Sequence, residues 1–146
     1  MKSAATHPLL KAAIKPSSST LRGMLTQKDF KIVDSTLQSL RSAGGLELQW
    51  VWKGKETGWV CAANYNDVVI CELHAAKTPI RGVLPLPTNL VNTLMGAKAF
   101  PTGFKALLQS PIDDDPKTKT YELELESTEL RDLLSELVSE IVNFIE

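Results

Sequence analysis

The sequence predicts a single α+β domain in which amphipathic helices cover one face of an antiparallel β-meander and a long helix lies at the C-terminal end. Three observations predict this class: a segment with helical apolar spacing, three short strand-like segments separated by turn residues, and a broad apolar stripe after residue 127. The 146 residues, 43% of them hydrophobic, can form one core without a disulfide or a structural metal.

Residues 1–25 are predicted to form a flexible N-terminal arm, because Pro8, Pro16 and a serine tract interrupt each short apolar run. Residues 26–146 are predicted to form the single domain. Its first helix should begin after Thr26, which precedes an acid at capping-box spacing, and should end at the glycine pair that follows.

Three strands are predicted to follow the first helix. Apolar and polar residues alternate in the first strand, and this period of two is typical of a half-buried strand. The strands are expected at residues 46–53, 59–64 and 68–73. The turns between them are expected at residues 53–57 and 64–67.

The register of these strands can be predicted from burial, because a slip by one residue moves the apolar side chains to the opposite face. Pairing Trp52 with Trp59 places Trp50 opposite Cys61. Pairing Asn64 with Val68 would then place Cys61 opposite Cys71. One face of the meander is therefore predicted to carry Leu48, Trp50, Trp52, Trp59, Cys61, Ala63, Val69, Cys71 and Leu73.

Residues 80–86 are predicted to form a fourth short strand or an extended segment. Pro79, Pro85 and Pro87 should confine it to the edge of the sheet, because proline has no N–H to donate. The elements expected after it are, in order, a helix at 88–96, a short helix at 104–109, a surface loop at 113–118, a strand from 121 and a terminal helix from 127.

The terminal helix has an apolar stripe wider than a coiled-coil seam. Such a stripe can exceed what one small sheet covers, which favours a homodimer or a protein partner bound at this helix. The interface candidates are Leu130, Leu134, Leu137, Ile141 and Ile145.

No pattern in the chain indicates catalysis, a metal site or a cofactor. Cys71 and His74 are three residues apart on a predicted strand, so they should point to opposite faces and form no catalytic pair. The two cysteines lack metal-ligand spacing. Alternating acids from Glu122 are typical of the solvated side of a strand. The sequence therefore leans towards a non-enzymatic protein with no cofactor.

The tryptophans are the strongest candidates for a ligand site. Trp50, Trp52 and Trp59 on one sheet face, together with Cys61 and Cys71, could line a pocket for an apolar or aromatic ligand. Core packing under the helices is the simpler interpretation of the same residues.

The charge distribution limits the possible partners. The net charge is −1, and residues 121–146 contain eight acids and one base, which argues against nucleic acid binding there. A basic arm formed by Lys11, Lys15, Arg22 and Lys28 lacks interleaved aromatic residues. No segment approaches the roughly 20 apolar residues of a membrane span. We therefore expect a cytoplasmic protein that does not bind membranes.

A first resemblance rests on the pattern WxWKGKxxGW at residues 50–59, the segment GFKALL at residues 103–108 and the strand and helix from Tyr121. With the order of elements over residues 26–146, these motifs resemble small bacterial α+β domains grouped with YdhG-like proteins, which implies a fold and no particular reaction. The same order is similar to type III secretion chaperones, which implies a dimer that wraps an extended protein segment.

Three functional hypotheses remain open at this point. The favoured one is a non-enzymatic binding or protein-interaction module that forms a homodimer through the sheet or the terminal helix. The second is a small-ligand-binding or enzymatic domain with the tryptophan-lined pocket, and the third is a dimer that resembles a secretion chaperone.

Overall fold

The protein is described here by a computed structural model, which covers residues 7–13, 15–17, 19–42, 45–77 and 79–145. Within these residues, the centre of the fold is an antiparallel sheet of six strands in the order β1-β2-β3-β4-β6-β5. The strands are β1 (Glu47–Trp52), β2 (Trp59–Tyr65), β3 (Val68–His74), β4 (Arg81–Pro87), β5 (Asp113–Asp114) and β6 (Thr118–Glu124). The predicted α+β class with an antiparallel sheet is confirmed.

Five α-helices accompany the sheet in the described part of the chain, after a short 3₁₀ turn at Pro8–Leu10. They are α1 (Leu21–Met24), α2 (Gln27–Ser42), α3 (Thr88–Gly96), α4 (Thr102–Leu107) and α5 (Thr128–Ile145). The order of the main elements agrees with the sequence prediction.

Side-chain caps fix the start of the two longest helices. The Thr26 hydroxyl accepts a hydrogen bond from the backbone N–H of Asp29 at 3.1 Å, and the Ser127 hydroxyl accepts one from Leu130 N–H at 3.1 Å. Each bond satisfies a donor that has no partner within the helix. The predicted starts of α2 and α5 are therefore confirmed.

The core lies between the helices and one face of the sheet. We call this the helix-covered face; it includes Cys61, Leu73, Gly82, Leu84 and Tyr121. A Cβ atom added to Gly82 would lie 2.7 Å from a methyl carbon of Leu134, so α5 packs closely against the middle of β4. The absence of a side chain at this position permits the close approach.

The register predicted for β1 and β2 is confirmed. Trp52 pairs with Trp59, and Trp50 pairs with Cys61. The three indoles therefore lie on the same side of the sheet, because residues two apart on a strand share a face.

The register predicted for β2 and β3 is wrong, because the turn between them is shorter than expected. Asn66 and Asp67 both have left-handed backbone angles, with φ of 47° and 67°, which is the geometry of a two-residue type I′ hairpin. Tyr65, rather than Asn64, therefore pairs with Val68.

A β-bulge then changes the facing of β3. Asn64 pairs with Val69, and the register shifts before Ala63 pairs with Cys71. Val69 is therefore not part of the core, contrary to the prediction, whereas Ile70 is fully buried in it. Cys61 pairs with Leu73, so the two cysteines share a face without being direct partners.

The prediction that the fourth strand lies at the edge of the sheet is also wrong. β4 lies between β3 and β6, but β3 pairs with it only from Arg81 to Val83. Along the stretch that contains Pro85 and Pro87, β4 has only β6 as a described neighbour. The prolines are tolerated because the half of β4 that carries them has one free side.

Part of the predicted loop at residues 113–118 is ordered as the short strand β5. Asp113 and Asp114 pair with β6, and the turn that follows is fixed by Asp115, whose carboxylate accepts hydrogen bonds from the N–H groups of Lys117 and Thr118. The outermost strand on this side of the sheet is therefore short and acidic.

The described part of residues 1–25 packs against the domain. Leu9 is 0% exposed, and Leu21 and Met24 are also buried in the core. The flexibility predicted for this segment concerns motion and stays a prediction, but its apolar side chains are part of the packed structure.

Candidate functional site

The three tryptophans have different surroundings on the helix-covered face. The rings of Trp52 and Trp59 meet edge to face, with centroids 5.6 Å apart. The Trp59 indole N–H also donates a hydrogen bond to the carbonyl oxygen of Lys11 at 2.9 Å. The N-terminal segment therefore occupies part of the space that a ligand of these rings would need.

Trp50 is the tryptophan that borders a cleft, between α2 and β1. The cleft has a volume of about 180 Å³, which is below the usual range for small-molecule sites. It is lined by Ser17, Leu21, Phe30, Asp34, Leu37, Arg41 and Trp50.

Cys61 and Cys71 are free thiols enclosed by the core, with 2% and 0% of their surface exposed. Burial raises the pKa of Cys61 to about 11 and also raises the pKa of Cys71 far above its ordinary value. Both thiols are therefore protonated and unreactive at neutral pH. They contribute packing and offer little surface to a ligand.

Most of the stripe predicted to form an interface is used inside the domain. Leu134, Leu137 and Ile141 are at most 1% exposed, because α5 lies across the sheet and against α2. Leu130 and Ile145 are partly buried. Only these last two candidates retain surface for contact with another molecule in this conformation.

Charged residues form a cluster on the other side of the sheet. We call this side the open face; it carries Glu72 and His74 of β3, Arg81 and Val83 of β4, and Glu122 of β6. These residues are neighbours because His74 pairs with Arg81 and Val83 pairs with both Glu72 and Glu122. Three adjacent strands thus place their outward side chains together.

Glu72 is the centre of this cluster and is 8% exposed. One carboxylate oxygen lies 3.1 Å from His74 Nε2, and the other lies 3.0 Å from Lys53 Nζ. The hydrogen bond with His74 is the main cause that holds the pKa of Glu72 below its ordinary value. Burial of the carboxylate acts to raise this pKa, and the contact with Lys53 lowers it further. Glu72 is therefore ionised and fixes both neighbours.

Arg81 is held in a second ion pair. Its Nη1 atom donates to Glu122 Oε2 at 3.1 Å, and both side chains are partly buried. This pair uses one of the five guanidinium N–H donors, so Arg81 retains donors for a further acceptor. The acidic side chain of Glu122, predicted to be solvated, is thus a structural partner of β4.

His74, Arg81, Val83 and Glu122 line a cleft of about 290 Å³ on the open face, and Glu72 lies behind His74 without lining it. Turn residues between β1 and β2 and between β3 and β4 form its rim, and Ile112, 61% exposed, adds an apolar contact. The full lining is Glu56, Thr57, His74, Ala76, Lys77, Arg81, Val83, Ile112 and Glu122.

No pattern in the sequence predicted this site. His74 was expected to point away from Cys71, and that expectation agrees with its place on the open face. The available signal was the alternation of Glu72 and His74 with core residues in an apolar strand, since a charged residue at such a position needs a partner. The partners on β4, on β6 and at Lys53, directly after β1, become evident only from the strand order.

The described residues contain no group of three His, Cys, Asp or Glu side chains placed to hold a metal ion. None of the helices in the described ranges has both the length and the apolar character needed to cross a bilayer.

Comparison of the chain with protein-family models, with curated proteins and with solved structures found no match. The resemblances to YdhG-like domains and to secretion chaperones therefore stay predictions.

Proposed function

We propose that the protein is a non-enzymatic binding module and that it binds its ligand in the cleft on the open face. The observation that carries this proposal is the buried carboxylate of Glu72, which holds the His74 ring at the cleft through a contact of 3.1 Å. Groups that are already fixed lose little freedom when a ligand arrives, so less of the binding free energy is lost.

The charge of the lining supports a ligand that carries both an acidic and a basic group. Lys77 and Arg81 are matched by Glu56 and Glu122, so the formal charges of the lining sum to zero when His74 is neutral. A ligand with a single strong charge gains little from such a site, whereas a zwitterion can place each charge against a complementary side chain.

The size of the cleft supports a small molecule. A volume of about 290 Å³ lies just below the usual range for ligand sites, roughly 300–1,000 Å³, which favours a ligand at the small end of that range. Val83, Ala76 and Ile112 supply apolar surface beside the charged groups. A compact amino acid or a related amino-carboxylate has this combination of charges and a short apolar body.

The site at the tryptophans is less well supported as a small-molecule pocket. Its cleft is smaller, about 180 Å³, and Trp59 is hydrogen bonded to the N-terminal segment. The open face is therefore the better candidate, although the sequence alone favoured the indoles.

Nuclear magnetic resonance titration with amino acids, simple carboxylates, simple amines and uncharged polyols tests this proposal. We expect amino acids to shift the backbone signals of Thr57, His74 and Val83 more than the other three classes do. Shifts confined to residues around Trp50, or no shifts at millimolar probe, would contradict the proposal.

A pair of charge variants tests the same site. Lys77→Gln should weaken binding of an amino acid by about tenfold, because it removes a charged hydrogen-bond donor from the rim. Lys98→Gln removes an exposed lysine outside the cleft lining and should leave binding unchanged. Equal affinities of the two variants would argue against the cleft as the binding site.

A further inference from the structure

The two outer strands of the sheet differ in how well their edges are protected. β5 has two residues, both aspartates, and a short acidic edge resists pairing with another strand. β1 has six residues, Glu47–Trp52, without proline, and within the described chain it pairs only with β2. The free edge of β1 is therefore a competent template for another strand.

The side chains of β1 alternate between charged or polar and apolar positions. Glu47 and Gln49 are exposed, whereas Leu48, Trp50 and Trp52 are partly buried on the helix-covered face. The backbone N–H and C=O groups at the free edge of β1 therefore lie between a polar side and an aromatic side of the strand. Val, Trp and Leu also favour the extended conformation that such pairing requires.

We infer that β1 is the interface of a homodimer, in which two copies of β1 pair antiparallel about a two-fold axis at Trp50. In this register Glu47 of one copy lies opposite Lys53 of the second copy. The two-fold symmetry generates a second, equivalent pair from Lys53 of the first copy and Glu47 of the second. The aromatic side brings Trp50 opposite its own symmetry mate and Leu48 opposite Trp52. The inference is independent of the cleft and extends beyond the proposed binding function.

Charge complementarity selects this register from its neighbours. An axis at Gln49 would place Glu47 opposite Val51, and an axis at Val51 would place Gln49 opposite Lys53. An axis at Val51 would also bring Glu47 opposite Lys55, but Lys55 lies in the turn beyond β1, so the axis at Trp50 is the one that places a base next to the strand opposite the acid. Opposite charges at facing positions stabilise antiparallel pairs. An interface of this kind is self-complementary, as two-fold symmetry requires.

Both charged residues can take part in this contact. Glu47 is exposed and forms no ion pair with the rest of the described chain. Lys53 binds Glu72 at 3.0 Å, but 41% of its side chain remains exposed, so its ammonium can also contact a second carboxylate. Three N–H donors on the ammonium group permit this shared arrangement.

The dimer has a defined consequence for the surface. A two-fold axis perpendicular to the sheet keeps the open faces of both copies on the same side. The two six-stranded sheets then form one continuous sheet. Both clefts then open in the same direction, and both helix layers lie behind them.

Sedimentation velocity of the full chain and of two charge-reversed variants tests the inference. We expect the wild type to dimerise at about 100 µM and Glu47→Lys to weaken the dimer by about tenfold, because two attractive pairs become repulsive. Glu136→Lys, the same change on the exposed side of α5, should dimerise like the wild type. A monomeric wild type, or equal weakening by both variants, would overturn the inference.

A cross-linking experiment tests the register without relying on charge. Gln49→Cys and Val51→Cys chains are mixed and oxidised with copper phenanthroline, and disulfide-linked species are counted by mass spectrometry. The register predicts that links between positions 49 and 51 of different chains are more frequent than links between two positions 49 or between two positions 51. A random distribution of the three links would overturn the proposed axis. The native thiols, both buried, should stay unlinked.

Discussion

Replacement of Gly58 by alanine tests whether the N-terminal turn is an integral part of the domain. Gly58 has φ of +77°, and a Cβ atom at this position would collide with the carbonyl oxygen of Leu9 and lie 2.9 Å from a methyl carbon of Leu10. The variant therefore has to strain the backbone and also displace the Pro8–Leu10 turn.

The expected loss of stability is the sum of these two effects. A left-handed conformation costs a residue with a side chain about 1–2 kcal/mol. Leu9 is 0% exposed, and returning a buried leucine to water costs about 1.5–3 kcal/mol. Gly58→Ala should therefore lower the free energy of unfolding by about 2.5–5 kcal/mol.

Gly54→Ala is the matched control. Gly54 also has a left-handed backbone, with φ of +100°, but no other atom lies within 4 Å of an added Cβ. This variant should lose only the backbone contribution of about 1–2 kcal/mol. Any effect of the substitution on the unfolded chain is common to both variants and cancels in the comparison.

Urea unfolding followed by tryptophan fluorescence measures both losses. The comparison is repeated in a Leu9→Ala background, where the penalty of Gly58→Ala should approach that of Gly54→Ala, because the displaced side chain is already truncated. If Gly58→Ala and Gly54→Ala destabilise the wild type equally, the packing of the N-terminal turn against the β1–β2 loop is not supported.

Three further substitutions test other parts of the structure. Glu72 has a lowered pKa, chiefly because of His74, so its contribution is present above about pH 4.5 and is lost as the pH falls through the folded pKa. Glu72→Gln should therefore lose less unfolding free energy than the wild type as the pH falls below about 4.5, and equal losses would contradict this. Tyr121→Phe removes a buried hydrogen bond of 2.8 Å to the carbonyl oxygen of Leu108 and should cost about 1–3 kcal/mol in denaturant unfolding; an unchanged midpoint would count against that bond. Asp67→Gly should raise stability by about 0.5 kcal/mol, because glycine adopts the left-handed turn without strain; a lower midpoint would contradict the turn type.

The helices and the first hairpin could be predicted because their signals are local. Thr26 and Ser127 mark helix starts through caps that involve residues three positions away. Trp52 and Trp59 specify one register because any slip exposes both indoles. Such features need no knowledge of distant parts of the chain.

The wrong predictions concern the β2–β3 turn, where two local turn signals overlap, and the position of β4, which no local signal specifies. Asn64 and Asn66 both have turn propensity, so composition alone does not distinguish a four-residue turn from the two-residue type I′ turn that forms. The prolines in β4 indicate a free side correctly, but they do not indicate that β6 occupies the other side. Pairing between strands that are distant in sequence is not encoded in either strand alone.

The candidate site depends on the same distant pairing. Glu72 and His74 are visible in the sequence as polar residues within an apolar strand, but Arg81 and Glu122 join them only because β4 and β6 are adjacent. The indoles were the predicted ligand site instead, because large aromatic side chains offer extensive contact area to a ligand. Burial of the cysteines agrees with core packing, the simpler interpretation of the sequence, whereas burial of most of the α5 stripe depends on tertiary packing that periodicity cannot quantify.

The position of β6 between β4 and β5 also affects the order of folding. The first four strands are joined by short connections, so each can pair soon after its neighbour is formed. β6 has to reach β4 across two intervening helices, and closing that long connection costs entropy before any pairing is gained. We therefore expect the contact of Arg81 with Glu122 to form late, so that the cleft is completed only when the C-terminal third of the chain has docked.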